Sequence, residues 1–126
     1  MKVAIFENEY PQFKTLFDGF NLIYFGGKLD IKDFKSSQEF GDLLKLNGYN
    51  VLIVDIDLSI VSKMDGYQLI TEVLRLQITN PKIMVLTGHN AMKEKLKEHH
   101  LPDYPIISKP LTLASIKAAF EYYNLI

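Results

Sequence analysis

The chain has no cysteine among its 126 residues, which excludes disulfides and thiolate metal sites and fits a reducing compartment. It also lacks an excess of charge of either sign. The 14 Lys and Arg residues stand against 15 Asp and Glu, a formal net charge of −1. The basic residues are spread along the chain, so there is no electrostatic footprint for nucleic acid. No apolar run approaches the roughly 20 residues that cross a bilayer. The opening stretch Met1–Phe6 reaches Glu7 too soon for a secretory signal, and a cytoplasmic chain is expected. Internal repeats, low-complexity stretches and linkers are missing too. Residues 1–126 are therefore expected to form a single domain. A chain of this length buries about two-thirds of the surface its unfolded form exposes, enough for a core without staples.

What is present is an alternation of two kinds of segment. Val3–Phe6, Val51–Val54, Ile83–Leu86 and Ile106–Ile107 are short, continuous apolar runs rich in Val and Ile. Strands buried on both faces read this way, which points to a parallel sheet covered by helices. Leu29–Phe34 is a fifth strand, and its Asp30, Lys32 and Asp33 place it near an edge. Between the strands lie segments of helical spacing. Pro11–Phe25 carries Phe13, Phe17, Phe20 and Tyr24 on one side, with Pro11 suited to the first turn and Gly26-Gly27 to a left-handed stop. Ser36 or Ser37 caps the next helix, with Phe40, Leu43, Leu44 and Leu46 facing inward. Asp65 precedes a helix carrying Leu69, Ile70, Val73 and Leu74. A more polar helix covers Ala91–Glu98, starting from Asn90 and anchored by Met92 and Leu96. Thr112 caps the last, whose inner residues are Leu113, Ile116, Phe120 and Tyr123. Right-handed crossovers turn five strand–helix units into a three-layer α/β sandwich.

In open parallel sheets, ligands sit beyond the carboxyl ends of the strands. The residues at those positions are Glu7, Asn8 and Glu9 after the first apolar run and Asp55, Ile56 and Asp57 after the third. Thr87 and Gly88 follow the fourth, and Ser108, Lys109 and Pro110 the fifth. Carboxylates, a hydroxyl and an ammonium from four strands thus meet at one rim.

Val51-Leu-Ile-Val-Asp55-Ile-Asp57-Leu58, Met64-Asp65-Gly66, Val85-Leu86-Thr87-Gly88 and Lys109-Pro110 together resemble the successive signatures of response-regulator receiver domains, the CheY-like family. Each motif alone is weak; four in the family's order are a strong signal. The resemblance implies a (βα)5 flavodoxin-like fold with strand order 2-1-3-4-5. It implies that Asp55 is the phosphoacceptor, attacking phosphorus to form an acyl phosphate, and that Lys109 pairs with a phosphoryl oxygen. Thr87 would swing in to bond another. Mg²⁺ would be held by Asp55, the Glu7-Asn8 turn and the backbone carbonyl of Asp57, as hard oxygen donors suit it. The implied partners are a sensor histidine kinase or phosphotransfer protein upstream and a downstream protein or attached output domain. No output segment follows Asn124-Leu125-Ile126, so the chain would be either a lone relay or the front part of a longer regulator. Neither direct nucleic-acid binding nor a membrane role is expected. The only chemistry expected is self-phosphorylation and autodephosphorylation, not that of an enzyme.

Three departures qualify the likeness. The family's two acidic residues after the first strand read Glu7-Asn8 here, and Asn8 offers a carbonyl oxygen without charge. Two unit charges about 4 Å apart are worth roughly 4 kcal/mol at an effective dielectric near 20. Losing a third of that weakens metal binding about tenfold, so weaker Mg²⁺ affinity and slower phosphorylation are expected. The segment 58–64 is longer than the family norm, with Ser59 where proline is common; it is either a neutral surface insertion or a shield or partner contact beside the acceptor. Ile106 stands where many members carry an aromatic residue three positions before the lysine, and Tyr104 is expected to pack near the sheet edge instead.

Other readings stay open at several of these residues. Asp57 as acceptor would put the nucleophile beyond the strand end. Thr87 could cap the following helix. Lys109-Pro110 is expected to be cis. His89 lies at the rim, His99-His100 suit the C-terminus of a helix, and the charged run 93–98 reads as a solvated helix face. The rival functional reading is a pseudo-receiver, a phosphorylation-independent protein-interaction scaffold, for which Asn8 is the chief support. A flavodoxin is disfavoured because the loop after Phe6 lacks a Gly/Ser/Thr-rich phosphate cradle.

Overall fold

The computed structural model describes residues 1–126 except the side chain of Ser59, so the comparison of that residue with proline falls outside the described residues. Five strands, β1 (Lys2–Phe6), β2 (Asp30–Phe34), β3 (Val51–Asp55), β4 (Lys82–Thr87) and β5 (Ile106–Ser108), form one parallel sheet in the order β2-β1-β3-β4-β5. This is the flavodoxin-like (βα)5 sandwich, with β2 at an edge as its charges predicted.

Each strand divides its side chains between the sheet faces with a period of two. Ala4, Phe6, Leu52, Val54 and Val85 face one layer, where they pack with Leu46, Leu69, Ile70, Val73 and Leu96. Val3, Ile5, Val51, Ile53 and Met84 face the other, against Phe17, Phe20, Ile116 and Phe120. The first layer comprises α2 (Ser37–Phe40), α3 (Gly66–Arg75) and α4 (Met92–Glu98); the second comprises α1 (Lys14–Phe25) and α5 (Leu113–Tyr122). Phe20 and Phe120 pack with ring centroids 4.9 Å apart and so join α1 to α5. Among the described residues, no helix is long and apolar enough to cross a membrane.

Several expected boundaries move. The single helix over Pro11–Phe25 is instead a 3-10 turn, Tyr10–Gln12, followed by α1. Pro11 is the second residue of the tighter turn, and Gly26 closes α1 in the left-handed region at φ 58°. The second helix is cut after one turn. Gly41, at φ 87°, ends α2, and Asp42 caps a separate 3-10 stretch, Leu43–Gly48, by accepting from the Leu44 N–H. That break turns Leu44 outward at 52% exposure, contrary to its expected inward position, while Leu43 and Leu46 stay buried. Leu74, near the end of α3, is also exposed. Ser36, not Ser37, is the cap of α2. Asp65 and Thr112 cap α3 and α5, each in a reciprocal capping box. The polar helix begins at Met92, and Ala91, not Asn90, precedes it in a left-handed conformation.

The segment between β3 and α3 is pinned to α2. The Ser37 N–H donates to Ser62 Oγ at 2.8 Å, Gln38 Nε2 donates to the Val61 carbonyl at 2.7 Å, and the Lys63 N–H returns a bond to Gln38 Oε1 at 2.9 Å. At its far end Gly66 lies directly on the backbone of β3. A Cβ built there would sit 2.5 Å from both the Asp55 carbonyl oxygen and Ile56 Cα. Because those atoms are backbone, the contact cannot be relieved by a side-chain rotation. Gly66→Ala is therefore expected to lower stability by about 1–3 kcal/mol, the usual cost of overpacking, read as a lower urea midpoint at unchanged slope.

Candidate functional site

The parallel ladders bring the polar residues to one edge. Phe6 is level with Val54, Asp55 with Leu86, and Thr87 with Ser108. Glu7, Asp55, Thr87 and Lys109 therefore lie at or one residue past the carboxyl ends of the four adjoining strands β1, β3, β4 and β5. This follows from strand register, since each residue is fixed by the apolar strand that precedes or contains it.

The side chains of Glu7, Asp55 and Lys109 converge. Lys109 Nζ stands 3.2 Å from Asp55 Oδ2 and 3.1 Å from Glu7 Oε2. Glu7, Asp55 and Thr87 are buried, at 0%, 2% and 0% exposure, while the Lys109 side chain keeps about a quarter of its surface open. Asp55 Oδ1 accepts from the Asp57 N–H at 3.0 Å, and Glu7 Oε1 accepts from the Glu9 N–H at 2.9 Å. Glu7 Oε2 is within ion-pair distance of the ammonium, yet no well-directed hydrogen bond reaches it. Lys109 also lies 5.4 Å from the centre of the Phe13 ring. The Lys109–Pro110 peptide is cis, as the resemblance implied.

Thr87 does not cap α4. Its Oγ1 accepts from the His89 N–H at 2.9 Å within the loop after β4, and α4 starts later with no side-chain cap. The Asp57 side chain turns to the surface, where Oδ2 lies 2.7 Å from His89 Nε2. This bridge across the loops after β3 and β4 went unrecognised in the sequence. Its signal is the equal spacing: each residue stands two positions after a site residue, Asp55 or Thr87, on neighbouring strands. Asn8 is half-buried in the turn beside Glu7. Tyr104 is buried just before the edge strand β5, and Ile106 is only partly covered. His99 closes α4 as the C-terminal site predicted for it, and its ring stacks on Tyr67.

The electrostatics are those of two carboxylates sharing one cation. Burial pushes the Glu7 carboxyl up to about 7, and the nearby Asp55 adds to the rise, while the Glu9 N–H and Lys109 oppose it. Burial alone would lower the Lys109 ammonium, but Asp55 and Glu7 outweigh it and hold the group above its ordinary value. Among the described residues, no group of three or more His, Cys, Asp or Glu side chains gathers that could hold a metal ion. The oxygen donors nevertheless fit a hard, partly hydrated cation in kind: buried Asp55, and Glu7 Oε2 left without a directed hydrogen bond.

A family model described as "Response regulator receiver domain" matches residues 19–121, a span that includes Asp55, Thr87 and Lys109 but not Glu7 or Asn8. Among solved structures, the chain is similar to the signal receiver domain of a DNA-binding response regulator (merR) from Colwellia psychrerythraea 34H. The TM-score is 0.74 at 17% identity, covering 100% of this chain and 99% of that one. The signal receiver domain of a putative LuxO repressor protein from Vibrio parahaemolyticus gives 0.72 at 14% identity, with 97% and 88% coverage. The receiver domain of NtrX from Brucella abortus gives 0.67 at 17%, covering 95% of each chain. At these identities the likeness is one of fold. No curated protein matches the chain.

The raised Glu7 value sets a pH dependence. Its folded-state value, about 7, lies above the ordinary 4.5, so the folded chain holds more protons than the unfolded one between those limits. Stability from this group is complete below about pH 4.5 and is lost as pH rises through 7. In chelator-treated buffer, Glu7→Gln, which mimics the protonated acid, is expected to melt several degrees above the parent at pH 8. That gap is expected to narrow toward pH 5, a trend that thermal melts across this range would measure.

Proposed function

The chain belongs to the response regulator receiver domain family, and from that premise we propose that it accepts a phosphoryl group on Asp55 from a sensor histidine kinase or a phosphotransfer protein. The observation that carries this reading is the placement of the half-buried Lys109 Nζ beside both buried carboxyl groups, Asp55 and Glu7. A carboxylate is a modest nucleophile, and phosphoryl transfer depends mainly on alignment and on charge stabilisation around the three equatorial oxygens.

In the proposed reaction Asp55 Oδ2 forms a bond to phosphorus as the bond from phosphorus to the donor nitrogen breaks. The nitrogen leaving group takes a proton. Asp55 Oδ1 accepts from the Asp57 N–H and Oδ2 from Lys109 Nζ, and the Lys109 bond is the one that passes to a transferred oxygen as Oδ2 attacks. Lys109, on the same side as Oδ2, neutralises charge on one transferred oxygen, and the Thr87 hydroxyl supports another once it exchanges its present bond to His89. A bound Mg²⁺ would neutralise further phosphoryl charge. Asp55, the Asn8 side-chain oxygen and the Asp57 carbonyl would hold it, with Glu7 supporting its water shell. Because Asn8 brings no charge, the affinity is lower than a carboxylate would give. The altered surface around Thr87, α4 and α5 would be read by a downstream protein or an attached output domain in the cytoplasm.

The second reading, a pseudo-receiver scaffold that works without phosphoryl chemistry, draws on Asn8 and on the high protonation range of Glu7. Incubation with Mg²⁺ and phosphoramidate, followed by intact-mass measurement, separates the two. The expected result is one added phosphoryl group, absent in Asp55→Asn. An unchanged mass favours the scaffold. Asn8→Asp is expected to tighten Mg²⁺ binding about tenfold, measured by calorimetric titration, and to speed the mass gain.

A further inference from the structure

Tyr67 touches both ends of α4. Its hydroxyl donates to Met92 Sδ at 3.7 Å, and its ring stacks on His99 with centroids 3.7 Å apart and planes 8° from parallel. Met92 is the first residue of α4, and His99 closes it. A helix of 7 residues is about 10 Å long at 1.5 Å per residue, and the side chains of Met92 and His99, from its two ends, both meet Tyr67.

α4 needs such a support. A helix this short is not stable on its own. Its buried residues are Met92 and Leu96, and Ala91 before it is left-handed with no side-chain cap. Burial, followed by the charges of Asp57, Asp65 and Glu98, raises the Tyr67 phenol above its ordinary value, which keeps the hydroxyl protonated as a donor.

At its other end Tyr67 is tied to the acceptor. It follows Gly66, whose N–H donates to the Ile56 carbonyl at 3.1 Å and whose Cα packs against the Asp55 backbone. The Asp65–Gln68 capping box stiffens the same turn. From Asp55 to α4 the path therefore runs through one backbone contact and one aromatic side chain. On the other side of the site, position 106 is an isoleucine and offers no ring.

We propose that Tyr67 is a positioning residue that couples α4 to the acceptor strand, passing a displacement at Asp55 to Met92 and His99. The coupling rests on the phosphoacceptor reading; the latch itself, the hold of Tyr67 on α4, does not.

The test is backbone hydrogen exchange over residues 93–98 in the parent chain, Tyr67→Leu, Tyr67→Phe, His99→Ala and the Tyr67→Leu/His99→Ala double variant. An aromatic contact of this kind is worth about a 3- to 10-fold change in opening. Tyr67→Leu is expected to speed exchange in α4 by that factor while leaving β1 and β3 unchanged. Tyr67→Phe, which keeps the stack, should stay within about twofold of the parent. The double variant should be no faster than Tyr67→Leu alone, since both remove one interaction. Unchanged α4 exchange in Tyr67→Leu, or additive effects in the double variant, overturns the latch. If Tyr67→Leu loosens every strand, His99→Ala, which alters an exposed ring, decides the matter by the same criterion.

The coupling is read after loading with phosphoramidate, with intact mass confirming the phosphoryl group in both parent and Tyr67→Leu. Loading is expected to change α4 exchange in the parent and not in Tyr67→Leu. An undiminished response in loaded Tyr67→Leu overturns the coupling. A parent chain that never loads overturns the phosphoacceptor reading and the coupling with it, and the unloaded comparison still judges the latch.

Discussion

Two carboxylates and one ammonium lie together where the strands end, and water reaches the group mainly through the lysine. Burying Asp55 and Glu7 beside Lys109 costs solvation that a single positive charge does not fully restore. Burial, reinforced by the acidic neighbour Asp55, pushes the Glu7 carboxyl up to about 7. In the proposed reaction the charge imbalance becomes useful, because a pocket short of positive charge favours a divalent cation. Asn8 works in the opposite direction by removing one negative charge from the donor set.

Holding charges at this spacing takes a rigid frame, and the parallel sheet supplies it. Glu7, Asp55 and Thr87 are each anchored by a strand whose side chains are buried on both faces, and Lys109 follows the edge strand β5, held by buried Ile107. A one-residue slip of β3 against β1 would carry Asp55 away from Glu7 and turn its whole apolar set to the wrong layer. The cost of misplacing Val51, Leu52, Ile53 and Val54 thus protects the geometry of the site. Gly66 closes the frame from the helix side, since only a residue without a side chain lets α3 approach the Asp55 backbone so closely.

The fold was legible because four of the five strands are short apolar runs rich in Val and Ile and most crossovers carry a helical stripe. The register then followed, and with it the meeting of Glu7, Asp55, Thr87 and Lys109. Local competition was harder to read. Between Ser36 and Gly48 the leucines suggest one helix, but Gly41 and Asp42 offer a stop and a second cap, and the chain takes them, leaving Leu44 in solvent. Leu74 shows the same limit, since helical spacing identifies a stripe but not how far the opposing surface extends. The Asp57–His89 bridge and the Tyr67–His99 stack join residues distant in sequence; the first can be read only once β3 and β4 are known to be neighbours, and nothing in the local pattern announces the second.

On the proposed reading, the ends of four strands form one pocket that receives a hard cation beside Asp55. Paramagnetic broadening by Mn²⁺ in the isotope-labelled protein tests it most directly, because the effect maps distance from the ion onto individual amides. Broadening centred on Asn8, Asp55, Asp57 and Lys109, with the far ends of the strands untouched, is the predicted result. Broadening centred on His99 and His100, or none at millimolar Mn²⁺, would contradict it.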